Sequence, residues 1–182
     1  MIALLTRLMD DAWERFREAL EGLTADEYHW RPSFGALTLA DFLPPDDRED
    51  LRAFYAKLPD APSTIEYKVA HVAACKIMYV EYAFREGRLR WRWADLNVPK
   101  TLDAMRAYLD NAHTILQGCL KGLNDSDLRV PRKTNWGELW PTERILWEMI
   151  VHDIYHGAQI RTTRAFYRAA HRPQPRLGAE TA

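Results

Sequence analysis

The chain has 182 residues, with 25 lysines and arginines against 26 aspartates and glutamates, so its formal net charge is −1. This length suits one domain with a single substantial core, and the near-neutral charge gives no reason to expect nucleic acid or a membrane as a partner. Two cysteines exclude a disulfide scaffold. Because no apolar run is typical of a signal peptide or a membrane span, we expect a cytoplasmic protein.

Apolar residues at helical spacing predict four long helices. Their expected ranges are about 2–23, 63–86, 102–123 and 141–169. Ser63 is the expected N-cap of the second helix, with Glu66 completing a capping box. Four long helices in one domain, expected over residues 1–170, favour an all-α four-helix bundle. Residues 171–182 have little to bury and are expected to form a flexible tail.

The connection between the first two helices is long and irregular. Residues 24–62 contain five prolines, and a short helix is expected only around Asp47–Leu58. Six aromatic residues in this connection would be costly to leave in water, so we expect it to pack onto the helices or to cover a site. A second loop is expected at 130–140, and no alternation typical of a β-strand is found.

The fourth predicted helix carries polar residues where a core-facing row is expected. From Ile145, steps of three and four residues lead through Met149, His152, His156, Gln159 and Thr163 to Phe166. The row is therefore apolar at both ends and polar in its middle. His152 and His156 are four residues apart, which places both rings on one face of a helix, about one turn from each other.

The second predicted helix has the same feature, because its row Thr64, Tyr67, His71, Ala74 and Met78 puts a histidine at the centre of an apolar segment. In an antiparallel arrangement His71 can meet His152 and His156. A buried imidazole without a hydrogen bond costs about 1–3 kcal/mol. One divalent ion bound by all three rings would remove that cost. We therefore predict a three-histidine metal site with a coordination position open for water or a substrate.

Three neighbours on the fourth helix are candidates for catalytic or supporting roles. Glu148 precedes His152 by one turn and Gln159 follows His156, so either could orient a ligand ring or a bound water. For Glu148, simple exposure to solvent is the favoured alternative. Asp153 is a weaker candidate for a general base, because it is rotated by about 100° from His152 around the helix.

Other residues have simpler interpretations. Cys75 lies one turn after His71, and a buried core thiol is favoured over a fourth metal ligand. Tyr67 could line a pocket. His29 and His113 are expected at the surface. The basic and aromatic segment 85–93 could contact a nucleic acid, but cations at a helix C-terminus are the favoured explanation.

Five segments stand out around these positions: Leu23–Glu27, Trp30–Pro32, Ser63–Glu66, Val69–Ala73 and His152–Ile160. Together they resemble the DinB/YfiT-like superfamily of metal-dependent four-helix bundles, over most of the chain from about Leu4 to Tyr167. Two departures concern the substrate more than the metal. Gly157–Ala158–Gln159 stands where the family often has Arg-Gly-Gln, and the connection 35–62 looks longer than usual.

The resemblance implies a function as well as a fold. It implies that His71, His152 and His156 bind a divalent metal, most often zinc or nickel, and that the protein is a homodimer. Some relatives transfer or isomerise a small molecule with a thiol such as bacillithiol, mycothiol or glutathione. The expected activity is therefore metal-dependent transfer, isomerisation or hydrolysis of a small molecule. The alternative is a non-catalytic metal-binding bundle with a structural or stress-response role.

Overall fold

The computed structural model describes residues 1–44, 51–59 and 61–172, and the chain is mostly helical over these ranges. The α-helices are α1 (Ile2–Leu20), α2 (Ala25–His29), α3 (Leu51–Lys57), α4 (Ile65–Phe84), α5 (Trp93–Leu96), α6 (Leu102–Leu120) and α7 (Thr142–Ala170). Two short 3-10 helices, Leu39–Asp41 and Asp125–Arg129, and two strands, β1 (Pro131–Lys133) and β2 (Leu139–Pro141), complete the fold. None of the helices in the described ranges is long and apolar enough to cross a membrane.

The four long helices α1, α4, α6 and α7 correspond to the four predicted from apolar spacing. α1 packs along α7, and α4 packs along both α6 and α7. The predicted N-cap of α4 is wrong by one residue. The cap is Thr64 rather than Ser63, because the Thr64 hydroxyl accepts a hydrogen bond from the backbone amide of Tyr67. Glu66 does not close a capping box. Its carboxylate instead accepts a hydrogen bond from the backbone amide of Leu39 and contacts His29.

The predicted core-facing row of α7 is correct in its first half and wrong at its end. Ile145 and Met149 are buried, whereas Phe166 is exposed. Steps averaging 3.5 residues drift against the 3.6-residue turn, so over a long helix the buried face moves to other positions. Towards the end of α7 that face is formed by Ile160 and Arg164.

The described part of the connection, residues 24–44, 51–59 and 61–62, packs onto the helices rather than projecting from them. Tyr28 and Phe42 are fully buried, while Phe34 is exposed at the turn that contains Gly35. A parallel bridge between Leu37 and Ser63 ties the connection to the start of α4. The predicted short helix is present as α3, and residues 47–50 of that prediction lie outside the described residues, as do residues 173–182 of the predicted tail.

The loop expected at 130–140 contains a small antiparallel ribbon. β1 pairs with β2 so that Arg132 lies opposite Trp140. Each strand has only three residues, too few for an alternating pattern to be visible in the sequence. The ribbon leads directly into α7, because Thr142, the first residue of α7, bonds through its amide and hydroxyl to the carbonyl of Val130.

Candidate metal centre

Three histidines from α4 and α7 lie together in the middle of the helical body. The ring centres of His71 and His152 are 5.0 Å apart, those of His71 and His156 are 5.0 Å apart, and those of His152 and His156 are 4.5 Å apart. The Nε2 atoms of His71 and His152 are separated by 3.1 Å. We call His71, His152 and His156 the histidine layer.

The spacing of the three rings fits one shared ion. With metal–nitrogen bonds of about 2.0–2.1 Å, the centre of a ligand ring lies about 3.2 Å from the ion, and ligand angles of about 90–110° then separate ring centres by about 4.5–5.2 Å. All three observed separations lie in this range. When no ion is bound, the 3.1 Å separation of the two Nε2 atoms also suits an N–H···N hydrogen bond.

Burial keeps the three rings neutral. It lowers the pKa of His71 to about 3 and, with the repulsion of the neighbouring rings, that of His152 to about 2. Burial also lowers the pKa of His156 to about 4, against an opposing contribution from its hydrogen bond to Gln159. Neutral imidazole is the form that binds a metal, so all three rings have a lone pair available near pH 7.

Gln159 determines which nitrogen of His156 is free. The Nδ1 atom of His156 lies 2.8 Å from the amide oxygen of Gln159. An amide oxygen only accepts hydrogen bonds, so Nδ1 carries the proton and Nε2 presents the lone pair. Metal-binding histidines are commonly held in this way by a partner outside the first shell of ligands. His152 differs, because its buried Nδ1 has no partner among the described residues.

Cys75 lies against the histidine layer, beside His71 and His152. The ligand atoms of His71, Cys75 and His152 all lie within 4.8 Å of one another. The sulfur of Cys75 is almost equally far from the two nitrogens of His71, at 3.9 Å from Nδ1 and 3.7 Å from Nε2. These distances leave the sulfur close enough to His71 for one ion to reach both, and His71, Cys75 and His152 form a possible metal-binding group among the described residues. Burial raises the pKa of the Cys75 thiol to about 12.

Asp153 and Glu148 lie in different surroundings. Asp153 is fully buried, and its Oδ2 is 2.6 Å from the Nζ of Lys76, which is also fully buried. Burial raises the pKa of Asp153 and lowers that of Lys76, and each partner offsets the shift of the other. Glu148 is half-buried near Tyr79. Burial raises the pKa of the Tyr79 hydroxyl, and the negative charge of Glu148 raises it further.

Aromatic side chains contact the histidine layer at His71 and at His156. Phe42, from the connection over residues 24–62, has its ring centre 6.4 Å from that of His71 and contacts Tyr67 edge-on. Tyr155 meets His156 edge-on at 5.0 Å. The connection therefore supplies a wall to this region, and Tyr67 stands in the same wall.

A separate cavity of about 600 Å³ opens between α1 and α6. Trp13, Leu20 and Leu109 line it together with charged residues of both helices, and none of the three clustered histidines does. The cavity is thus distinct from the histidine layer. We give the layer priority as the candidate site, because two of its histidines, His71 and His152, belong with Cys75 to a group of donor atoms that lie within 4.8 Å of one another.

His113 is the sequence prediction that the structure overturns in this region. It was expected on the water-facing side of α6, but it is 3% exposed and stacks on Trp13 with ring centres 4.1 Å apart. It lies at the border of the apolar row of α6, and Trp13 from α1 covers it. His29 is exposed, as expected.

Lys76 is the residue whose importance the sequence analysis missed. It is one of the two clearly polar residues between Val69 and Val80, and that isolation was the available signal.

The family model described as DinB superfamily matches residues 8–160, which include all three histidines of the layer. No curated protein matches the chain.

Proposed function

The chain belongs to the DinB superfamily, and from this premise we propose that it is a metal-dependent enzyme in which His71, His152 and His156 hold one divalent ion. The observation that carries the proposal is the spacing of the three ring centres at 4.5–5.0 Å. We propose also that α1, α4, α6 and α7 form the four-helix bundle expected for this family. The packing of α1 on α7 and of α4 on α6 and α7 supports that arrangement.

The proposed ion is zinc or nickel, both of which accept neutral imidazole. When bound, it would supply Lewis-acid chemistry towards water or a small thiol. The residues of the chain provide the rest. Gln159 keeps Nε2 of His156 free for the ion, and burial keeps all three rings unprotonated. In the proposed reaction, a small molecule undergoes transfer, isomerisation or hydrolysis in the cytoplasm. A low-molecular-weight thiol is the candidate second cofactor.

Glu148 and Asp153 differ in what they can contribute. The carboxylate of Asp153 is fully buried against Lys76, so we propose no proton transfer by Asp153. Glu148 is half-buried one turn before His152, which leaves it as the candidate to hold a bound water. Replacing Glu148 with Gln keeps the shape and removes the charge, so it tests that role directly.

A non-catalytic metal-binding protein is the alternative function. The position of the 600 Å³ cavity favours it, since that cavity opens between α1 and α6 and not at the histidine layer. In this alternative the ion would stabilise the contact between α4 and α7. Only the enzyme would turn over a substrate, whereas both functions require the same three histidine ligands.

We propose further that the protein forms a homodimer through α7. Trp147, Val151, Ile154 and Tyr155 are exposed large apolar residues spaced along one face of that helix. A second copy would remove this face from water. Sedimentation analysis of Ile154→Glu beside wild type tests the proposal: a dimer that becomes a monomer supports it, and a monomeric wild type contradicts it.

Metal analysis of protein prepared without a histidine tag tests the proposed site. We expect about one zinc or nickel ion per chain in wild type and negligible metal in His152→Ala and His156→Ala. Equal and negligible metal in all three proteins would contradict the site. If metal is present, assays with bacillithiol, mycothiol and glutathione and a small electrophile then distinguish the enzyme from the non-catalytic protein.

A further inference from the structure

A buried ion pair lies directly beside the histidine layer. Lys76 from α4 and Asp153 from α7 are each 0% exposed, with Nζ and Oδ2 2.6 Å apart. The ammonium also lies 5.3 Å from the ring centre of Trp13. The second carboxylate oxygen, Oδ1, has no hydrogen-bond partner in the part of the chain that the structure describes.

This pair is a poor source of stability. Removing two charges from water carries a large penalty, and a buried pair offsets it only when the remaining polar atoms are also bonded. Here Oδ1 of Asp153 stays without a partner. Apolar residues of similar shape at the two positions would be expected to fold at least as well. Stability alone therefore does not account for the pair.

The pair joins the same two helices as the histidine layer, next to His152 on α7 and little more than one turn from His71 on α4. Asp153 follows His152 directly, and Lys76 lies five residues after His71. The Nε2 atoms of His71 and His152, 3.1 Å apart, and the ion pair thus bridge α4 and α7 side by side.

Apolar packing does not select one position of α4 against α7. Helix α4 buries apolar side chains on nearly all of its sides, including Val69, Ala70, Val72, Ala73 and Ala74. Apolar contact has no preferred direction, so rotation or sliding of such a helix changes its apolar burial little. A slide of one residue moves a helix by about 1.5 Å, which would break a short hydrogen bond.

Beyond its contacts with His71 and His156, the ring of His152 has no hydrogen bond to a described residue that fixes it. His156 is held by Gln159 through Nδ1, whereas Nδ1 of His152 is without a partner among the residues described. The position of the His152 ring therefore depends on where α7 lies against α4. Asp153, the next residue, makes a fully buried polar contact with α4.

We propose that Lys76 and Asp153 are positioning residues that set the register of α4 against α7 and so bring His71 and His152 to a common ion. The proposal rests on the proposed metal site. In this role the pair selects one arrangement of the two helices, which is the best-attested use of buried polar pairs. Lys76 and Asp153 do not touch the ion in this account.

The test is the double variant Lys76→Met/Asp153→Leu, in which leucine keeps the branching of aspartate and both charges are removed together. We expect cooperative unfolding with a Tm equal to or above that of wild type. Zinc affinity, measured by competition with a chromophoric chelator, should fall about 10- to 100-fold, the usual range when support of a ligand is lost. The visible spectrum of the cobalt-loaded variant should also change.

A matched control is Glu27→Leu/Arg164→Met. This pair is also buried and also involves α7, with Nη2 and Oε2 3.1 Å apart. It links α7 to α2, and Arg164 additionally bonds to the carbonyls of Ala19 and Glu21. We expect its loss to lower the Tm and to leave zinc affinity within twofold of wild type.

Nitrogen NMR of the histidine rings in metal-free protein provides a readout that needs no metal. We expect one set of ring signals for His71 and His152 in wild type and several sets, or broadened ones, in Lys76→Met/Asp153→Leu. The proposal is overturned if the variant keeps one ring set and wild-type zinc affinity, or if it does not fold. If wild type itself binds no zinc, the proposed function fails, and the ring signals alone decide the positioning role.

Discussion

The helical body holds histidine in two regions that are built differently, with the layer histidines half-buried and His113 buried. In the histidine layer, three rings from α4 and α7 converge, with centres 4.5–5.0 Å apart. In the second region, His113 stacks alone on Trp13, and both of its nitrogens are without a partner among the described residues. Burial lowers the pKa of His113 to about 3, much as it does for the layer. Convergence, and not burial or a lowered pKa, is thus what marks a candidate metal site.

Removal of a layer histidine should have the largest effect on metal binding. We expect His71→Ala and His152→Ala to lose essentially all bound zinc, because two remaining imidazoles are an incomplete ligand set. His113→Leu should keep wild-type zinc content. Metal analysis after gel filtration measures all three, and a loss of zinc in His113→Leu would remove the distinction between the regions.

Acid should destabilise the metal-free protein through both regions. An ordinary histidine titrates near 6.5, while the buried rings have pKa values of about 2–4. As the pH falls below about 6.5, the unfolded chain takes up protons that the folded protein does not, so the free energy of unfolding decreases. The slope is about 1.4 kcal/mol per pH unit for each buried ring.

His113→Leu separates the contributions of the two regions to this slope. The variant has one buried ring fewer, so between about pH 6 and pH 4 its free energy of unfolding should fall less steeply, by about 1.4 kcal/mol per pH unit. Urea unfolding at several pH values, with a chelator present, gives the slopes. Equal slopes in variant and wild type would mean that His113 is already solvated in the folded protein.

Gln159 tests whether the layer depends on a supporting hydrogen bond that the His113 region lacks. We expect Gln159→Leu to weaken zinc binding about 10- to 100-fold, because Nδ1 of His156 loses its acceptor. Gln159→Glu keeps an acceptor oxygen and should stay closer to wild type. Chelator competition measures both affinities, and identical values for the two variants would show that the bond to Gln159 is incidental.

The smallest effect should be that of His113→Leu on stability at pH 7. The ring is 3% exposed and its nitrogens have no described partner, so an apolar residue of similar volume removes an unsatisfied polar group. We expect the free energy of unfolding to change by less than about 1 kcal/mol. A loss above about 2 kcal/mol would show that His113 makes hydrogen bonds in solution.

The helices and the proximity of the three histidines could be predicted because both follow from helical spacing. His71 lies at the middle of one apolar row, and His152 and His156 lie at the middle of another. Packing of the two helices places those positions together. The metal-binding role of the three rings stays a prediction.

The remaining features depend on contacts between segments distant in sequence. His113 is buried because Trp13 of α1 covers it, and nothing on α6 itself indicates that contact. The partner of Lys76 lies 77 residues away, so the isolated lysine in α4 signals a buried partner without identifying Asp153. Phe166 is exposed because the buried face of α7 drifts along a 29-residue helix.

X-ray absorption spectroscopy of zinc-loaded wild type tests the central claim most directly, because it identifies the ligand atoms. Zinc–nitrogen and zinc–sulfur distances differ, at about 2.0–2.1 Å and about 2.3 Å. We predict three imidazole nitrogens from His71, His152 and His156 and no sulfur. A sulfur ligand would show that Cys75 takes part in the site, and a zinc ion without imidazole ligands would contradict the histidine site altogether.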